Sequence, residues 1–461
     1  MKKTIRDSVK SIELEKVQNN YICEWGIKHR EEPQKEETNR TDLRRQRDRV
    51  LYTGGFRRLQ DKTQVIAATK SGDHRTRLTH TLEVEQIAAS LSDALGLNKD
   101  LVEAIALGHD IGHTPFGHAV ERFLDKELRK QGGFSHAVQS VRYLRQKKIK
   151  LDNEVFEGIL KHDTDVYAGA YDKNQFDCDA YNPLEPGSLE AQVVYWADKL
   201  AYLTHDLEDF YKTDIYSNAI EINQGLQEEL QKILAELIPR KRQCILANIK
   251  NFQTRDLIRN LLRDLTDESL RTLHELRESG ELSSEVIKEK TKERILQKKK
   301  NLGVNRAEIE KLQKRILELQ ENKGIDKIKK IKEEIQEIEE KIKEKKKMMK
   351  RAYQEGLVIN FGAEYSKQYS ALRKMLNKYY IMSPEVQRSD AKAVKVVEGL
   401  YKDFIKTPGI LPLNIQKTIG EAKKNNESKE RIIVDYIASM TDRYAEQVYN
   451  DLNSIGSDYK Y

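Results

Sequence analysis

The chain has 461 residues, of which 38% are hydrophobic, 34% charged and 7% aromatic. This content excludes a wholly disordered chain, and only 8 Pro and 23 Gly residues argue against an all-β architecture. Three scattered cysteines and the lack of a long apolar run exclude a disulfide framework and a membrane span, so we expect no membrane partner and a cytoplasmic location.

Apolar residues at helical spacing predict an all-α fold. Residues 1–45 are polar, and in residues 46–66 Gly54 and Gly55 mark a hinge between two helical pieces. The predicted helices that follow cover residues 81–95, 99–110, 118–131, 135–149, 152–162 and 189–211. Two or three helices are expected in residues 217–280, and others in 355–405 and 428–453. No stretch has the alternation typical of a strand.

Residues 285–351 form a basic segment with 23 basic and 14 acidic residues. Ile309, Leu312, Ile316 and Leu319 recur in steps of three and four, and the same rhythm resumes after a break at 322–324. This pattern predicts two antiparallel helices in a coiled-coil hairpin. The charge surplus has two explanations: attraction of nucleic acid, or the solvated face of a Lys/Glu coiled coil.

Histidine is concentrated in one part of the chain. Eight of the ten histidines lie within residues 74–205: His74, His80, His109, His113, His118, His136, His162 and His205. The pair His109-Asp110, together with His80 and Asp198, offers two imidazoles and two carboxylates, a set that suits a divalent cation with open positions. No thiolate accompanies them, which disfavours structural zinc. Taken alone, the His-Asp pair fits a capped helix end equally well.

The sequence around these residues resembles the HD-domain phosphohydrolases, and specifically the deoxyguanosine triphosphate triphosphohydrolase family. The matching segments are Arg77-Leu78-Thr79-His80, His109-Asp110-Ile111-Gly112-His113, Pro115-Phe116-Gly117-His118, Asp198-Lys199-Leu200-Ala201-Tyr202, Phe56–Val65, Thr204–Leu207, Val434–Ala438 and Met440–Ala445. The resemblance runs from about Arg47 to Tyr449 and excludes the basic segment. It implies an HD-domain helical bundle at 46–280 and a C-terminal helical region at 352–461 that packs on the core. The hairpin predicted from the apolar spacing at 285–351 is then an insertion between them.

The resemblance also implies the roles of individual residues. The implied metal ligands, for a divalent ion such as Mn, Mg or Fe, are His80, His109, Asp110 and Asp198. The implied acid/base pair is His118 and Glu121, which lie three apart on one helix face. The implied phosphate and sugar contacts are Gln64, Arg77, His113, His136, Lys199, Tyr202 and Asp206. The residues themselves agree in one respect, since Asp198, Tyr202 and Asp206 share one helical stripe. His162 and His205 are interpreted as structural histidines.

The function implied is metal-dependent hydrolysis of deoxynucleoside triphosphates, dGTP among them, to deoxynucleoside and tripolyphosphate. Relatives imply a homo-oligomer, a hexamer or tetramer, and possible binding of a nucleotide effector or single-stranded DNA. Two alternatives stay open at this stage. One is an HD-domain nucleotidase or phosphodiesterase with the same four ligands, and the other is a nucleic-acid-binding regulator that works through the basic hairpin.

Overall fold

The computed structural model describes residues 41–64, 75–163, 186–248, 252–278, 284–303, 306–321, 328–422 and 427–453. These residues are organised as helices, and the only β pairing among them is an isolated bridge between Thr63 and Thr76. The all-α prediction is therefore confirmed. No helix in the described ranges is long and apolar enough to cross a membrane. Residues 1–40 of the polar N-terminal segment and the break at 322–324 lie outside these ranges.

The N-terminal half of the described chain supplies eight helices. They are α1 (Asp42–Leu51), α2 (Gly54–Arg58), α3 (Arg77–Leu95), α4 (Lys99–Gly108), α5 (His118–Glu127), α6 (His136–Gln146), α7 (Asn153–Lys161) and α8 (Leu189–Lys212). Helix α3 begins four residues before its predicted start because Thr76 and Thr79 form a capping box. Helix α1 likewise begins before residue 46, with Thr41 as its N-cap. Helices α5 and α6 end earlier than predicted.

Twelve further helices follow in the described residues. They are α9 (Asp214–Ile222), α10 (Leu226–Leu237), α11 (Arg242–Ala247), α12 (Thr254–Glu278), α13 (Ser284–Asn301), α14 (Arg306–Glu321), α15 (Ile328–Gly356), α16 (Ala363–Leu376), α17 (Pro384–Lys406), α18 (Leu413–Glu421), α19 (Lys429–Ala438) and α20 (Asp442–Asn453). Four helices, α9 to α12, thus lie where two or three were expected. Helix α18 was not predicted.

The helices of the predicted site belong to two hydrophobic cores. The larger core includes α3, α4 and α8 and extends to α16. In the smaller core, Val120 and Leu124 of α5 pack with Val397 of α17 and Ile433 of α19. The four-residue spacing of Val120 and Leu124 places them on one face of α5. The helices that carry the predicted metal ligands therefore belong to one core, and the helix that carries the predicted acid/base pair belongs to the other.

Helices α14 and α15 pack on each other through an aliphatic cluster of their own. The buried residues of this cluster are Ile309, Ile316, Leu319, Ile338 and Ile342. The two helices run in opposite directions, as the pairs Glu308–Lys345 and Arg315–Glu334 show. Helix α13 packs on α15 and approaches it closely at Gly356, where a Cβ atom would lie 2.5 Å from Ile295 Cγ1. We call α14 and α15 the inserted hairpin.

Candidate metal centre and active site

Three helices of the larger core bring the four predicted ligands together. His80 lies one turn into α3, His109 is the C-cap of α4 and is followed by Asp110, and Asp198 lies in the middle of α8. Asp198 Oδ1 is 3.1 Å from His80 Nε2 and 3.8 Å from His109 Nε2. His109 Nε2 is in turn 3.7 Å from Asp110 Oδ1. Donor atoms of His80, His109 and Asp110 all lie within 4.8 Å of one another, and Asp198 adjoins the two histidines.

The hydrogen bonds of His109 leave one nitrogen available to a cation. Its Nδ1 lies 2.6 Å from the carbonyl oxygen of Ala106, which can only accept, so the proton of the neutral ring is on Nδ1. Burial lowers the pKa of His109 and keeps the ring neutral. Its Nε2 is buried and has no hydrogen-bond partner among the residues that the structure describes. An orphaned nitrogen lone pair beside two carboxylates fits a bound divalent ion.

Arg77 is the cation nearest to this group. As the first residue of α3 it is 1% exposed, and its Nη1 donates to Asp110 Oδ2 over 2.7 Å. Burial opposes ionisation of Asp110, but His109 and Arg77 hold the pKa of its carboxyl well below the usual range. The Nε and Nη2 groups of Arg77 have no hydrogen-bond partner in the described chain. These buried donors are therefore available to an anion.

Glu121 on the first turn of α5 connects two imidazoles. Its Oε2 lies 2.8 Å from His118 Nδ1, and its Oε1 lies 2.8 Å from both Nδ1 and the backbone nitrogen of His136. Burial opposes its ionisation, but His136 and His118 hold the pKa of Glu121 well below the usual range. The Glu121 carboxylate outweighs burial at His136 and raises the pKa of that ring to about 9. Glu121 therefore orients both rings, and His118 is the half-exposed one.

The turn between α4 and α5 is held from two sides. The backbone nitrogen of Gly112 donates to Ser140 Oγ over 2.9 Å, and this hydroxyl donates to the His109 carbonyl over 2.8 Å. Asp442, at the start of α20, accepts hydrogen bonds from the backbone nitrogens of Phe116 and Thr63, each over 2.8 Å. Phe116 has a positive φ of 58°, which is a strained conformation for a bulky residue. The hydrogen bond to Asp442 stabilises this conformation. The C-terminal sequence match therefore lies against the active-site turn.

A cavity of about 1020 Å³ opens beside these groups. Its lining includes most of the predicted site residues: Gln64, Arg77, His80, Asp110, His118, Glu121, His136, Asp198, Lys199, Tyr202 and Asp206. His113, predicted as a substrate contact, is not among the lining residues. It is buried and stacks on His136, with 4.7 Å between ring centroids, and among the described residues neither of its ring nitrogens has a hydrogen-bond partner. The structure therefore places His113 beside His118, Glu121 and His136 but not at the cavity surface.

The α8 stripe lines one wall of the cavity. Asp198, Tyr202 and Asp206 follow one another at four-residue spacing, and Lys199 Nζ lies 3.7 Å from the centroid of the Tyr195 ring. Burial raises the pKa of Asp206 well above its usual range, which favours the neutral form of this carboxyl. Asp206 Oδ1 and Gln64 Oε1 are both buried, and neither has a hydrogen-bond partner in the described part of the chain. This end of the cavity therefore offers uncharged hydrogen-bonding groups.

The structure adds cavity residues that sequence reasoning missed. Arg373 of α16 lines the cavity, and the inserted hairpin contributes five more residues: Gln313, Ile316, Glu339, Ile342 and Lys343. Glu339 also pairs with Arg129 over 3.6 Å. No local sequence signal could have found these residues, because their position depends on how distant helices pack.

Two histidines interpreted as structural contact the predicted site. His162, at the C-cap of α7, has its Nε2 3.0 Å from His136 Nε2. His205 pairs with Glu83, and its Nδ1 lies 3.4 Å from His80 Nδ1. For His162, the available signal was its place in Lys161-His162-Asp163 within the histidine-rich part of the chain.

Comparison with known families defines the class. Residues 77–203 match the HD domain, and residues 359–451 match the phosphohydrolase-associated domain. The first match covers all four predicted ligands, and the second begins just after α15 and includes Asp442. Together with the all-α fold and the buried His/Asp group, these matches make the protein an HD-domain phosphohydrolase.

Curated relatives narrow the class to a family. Three of them carry the name deoxyguanosinetriphosphate triphosphohydrolase-like protein. The relative from Rickettsia canadensis (strain McKiel) is 33% identical over 90% of this chain and 94% of its own length. The relatives from Rickettsia bellii (strain RML369-C) and Rickettsia prowazekii (strain Madrid E) are each 33% identical over 90% of this chain and 92% of their own length. The chain belongs to the family of deoxyguanosinetriphosphate triphosphohydrolase-like proteins, as the resemblance predicted.

Proposed function

We propose that the protein hydrolyses deoxynucleoside triphosphates, dGTP among them, to deoxynucleoside and tripolyphosphate in a metal-dependent reaction. One observation carries the proposal. A single cavity joins the His/Asp group, the His118–Glu121 pair, the buried guanidinium of Arg77 and the uncharged polar end at Asp206. The His/Asp group and Arg77 match the phosphates of a deoxynucleotide, and the uncharged end of the cavity matches its sugar. The name of the relatives, deoxyguanosinetriphosphate triphosphohydrolase-like protein, points to the same chemistry.

His80, His109, Asp110 and Asp198 would hold the metal ion, Mn, Mg or Fe. When bound, such an ion polarises a phosphoryl oxygen and lowers the pKa of a coordinated water. The unpaired donors of Arg77 contact phosphate oxygens, and Lys199 and Arg373 add positive charge along the same cavity. These cations stabilise the charge of the departing tripolyphosphate in a site where burial makes each contact stronger than in water.

His118 would move the proton. Its Nδ1 is held by Glu121, so Nε2 is the nitrogen free to exchange a proton in the cavity. Water adds to the α-phosphorus, and the bond from that phosphorus to the 5′ oxygen of the sugar breaks. His118 carries the proton from the attacking water to the departing 5′ oxygen. The overall reaction therefore consumes one water and leaves the enzyme unchanged.

The uncharged end of the cavity would select the sugar. Burial favours the neutral form of Asp206 and Gln64 offers an amide, so both can bond a hydroxyl without placing a charge beside it. We assign the 3′ hydroxyl to this pair. Tyr202, between Asp198 and Asp206 on the same stripe, would pack against the sugar and exclude a 2′ hydroxyl. A homo-oligomer, a nucleotide effector and single-stranded DNA binding stay predictions.

Product analysis tests the proposal. The full chain is incubated with each dNTP and with GTP in Mg²⁺ or Mn²⁺, singly and with a second dNTP, and products are separated by ion exchange. We expect tripolyphosphate from deoxynucleotides and none from GTP, and a requirement for the second dNTP would reveal an effector. Orthophosphate or pyrophosphate would instead support the nucleotidase or phosphodiesterase alternative. No product with metal bound, together with salt-dependent DNA binding lost on removal of the hairpin, would support the regulator.

A further inference from the structure

The imidazole ring of His80 on α3 is contacted at both nitrogens by side chains of one helix, α8. Its Nε2 lies 3.1 Å from Asp198 Oδ1, and its Nδ1 lies 3.4 Å from Nδ1 of His205. Asp198 and His205 are seven residues apart, about two helical turns, so they lie on one face of α8. His80 is 1% exposed and His205 5%, and the planes of the two rings are inclined at 76°. The His80 ring therefore has little freedom to turn between its two partners.

Glu83 continues this chain of contacts on the far side of His205. It lies one turn after His80 on α3, and its Oε2 pairs with His205 Nε2. Burial raises the pKa of Glu83, and the guanidinium of Arg75, whose Nε lies 4.0 Å from Glu83 Oε1, counteracts this rise. Burial also lowers the pKa of His205 to about 2, so this ring is neutral at pH 7. A neutral imidazole has one donor and one acceptor nitrogen, so His205 can link a donor to an acceptor.

The positions of the protons along this chain follow from the ligand role of His80. To bind a cation through Nε2, His80 must carry its proton on Nδ1. That proton points at Nδ1 of His205, which therefore accepts it. The proton of His205 then lies on Nε2 and is donated to the Glu83 carboxylate. The reverse order would place a proton on His80 Nε2, where it would block the ion.

We propose that His205 is a positioning residue for the metal ion, which fixes the His80 ring and its tautomer by linking Nδ1 of His80 to the Glu83 carboxylate. Ligating histidines commonly donate their other nitrogen to a carboxylate or a carbonyl, and here an imidazole lies between the two. His109 is supported differently, by the backbone carbonyl oxygen of Ala106 at 2.6 Å. The support of His80 comes from a side chain, so substitution can remove it. The proposal rests on the metal centre of the proposed function.

Mn²⁺ affinity in the absence of substrate tests this role. The full chain is stripped of metal and titrated with Mn²⁺, and free Mn²⁺ is measured by electron paramagnetic resonance. His205→Leu should raise the Kd of Mn²⁺ by about 10–100-fold, the usual loss when the partner of a ligating histidine is removed. His205→Gln should stay within about threefold of the wild type, because its amide offers an acceptor and a donor as the ring does. His274→Leu, the same substitution at an exposed histidine of α12, is the matched control and should leave the Kd unchanged.

A double-mutant cycle with His80→Ala separates this role from general damage to the fold. If His205 acts through His80, His205→Leu should not weaken the remaining Mn²⁺ binding once His80 is alanine. Equal weakening in both backgrounds, an unchanged Kd in His205→Leu, or a loss in His205→Gln as large as in His205→Leu would each overturn the proposal. If His205→Leu does not fold, Glu83→Leu removes a half-buried partner in the same chain of contacts. It should also raise the Kd, and an unchanged value would overturn the proposal.

The role of His205 and the proposed function can fail separately, because the titration involves no hydrolysis. Weakened Mn²⁺ binding in His205→Leu, together with no hydrolysis of any deoxynucleotide by the wild type, refutes only the proposed function. Hydrolysis by the wild type, together with full Mn²⁺ affinity in His205→Leu, refutes only the role of His205.

Discussion

Gly112 lies between the predicted ligand Asp110 and the buried His113, where the turn touches α6. A Cβ atom at this position would be 2.1 Å from the backbone nitrogen of Ser140 and 2.4 Å from the carbonyl carbon of Gln139. Ordinary contact begins at 3.4 Å, so Gly112→Ala must move the turn and α6 apart by about 1.3 Å. Backbone atoms cannot rotate away as a flexible side chain can.

The loss of stability in Gly112→Ala follows from the hydrogen bonds that this movement breaks. The Ser140 hydroxyl accepts from Gly112 and donates to the His109 carbonyl, and two lost hydrogen bonds cost about 2 kcal/mol. Overpacking adds about 1–3 kcal/mol. The free energy of unfolding should therefore fall by about 3–5 kcal/mol, and bound Mn²⁺ should fall with it because His109 moves.

Urea unfolding followed by circular dichroism, with metal content measured in parallel, checks this prediction. Gly420→Ala is the control, since a Cβ atom there meets nothing within 4 Å and alanine favours the helix by about 0.5–1 kcal/mol. The reasoning is wrong if Gly112→Ala unfolds within 1 kcal/mol of the wild type, as measured by the same protocol, and retains its metal.

Four further predictions concern the cavity. His118→Ala should lower kcat by about 10²–10⁴-fold with metal content unchanged, and full activity would exclude it as the proton carrier. Tyr202→Ala should allow GTP hydrolysis, and continued rejection of GTP would place sugar selection elsewhere. For Asp206 burial raises the folded pKa, so its contribution to stability is present below about pH 4 and is lost as pH rises. The stability of Asp206→Asn relative to the wild type should therefore increase with pH, and a constant difference in urea unfolding would contradict this. Lys343→Glu should raise KM up to about fivefold, near 1 kcal/mol, with kcat and metal content unchanged, and an unaltered KM would show that the hairpin does not contact substrate.

Helix positions were predictable wherever one face is buried in a core. Helix α8 agrees with its apolar spacing to within one residue at its C-terminal end, because most of its side chains are buried. Helix α18 has no buried residue in its span and packs on the smaller core only through the partly buried Ile415 and Ile419, so its apolar stripe is too short to read. The start of α3 was missed because its capping box uses Thr79 where glutamate or glutamine is usual.

The candidate site was predictable as a set of residues and not as an arrangement. The matched segments named most of the lining residues, but nothing in the chain shows that His113 stacks behind His136. The approach of His162 to His136 joins residues 26 positions apart, through the ends of α6 and α7. Contacts of this kind depend on how helices pack, which local sequence patterns do not contain.

The inserted hairpin forms a wall of the cavity but supplies none of the predicted metal ligands. Its cavity-lining residues, which lie between 313 and 343, are separate in the chain from the stretch 80–198, which holds the four predicted ligands and the His118–Glu121 pair. Changes in the hairpin can therefore alter which molecules fit while bond cleavage stays intact. The part of the selectivity that depends on the hairpin is encoded in a different length of chain from the reaction, so it can evolve while the reacting groups stay the same.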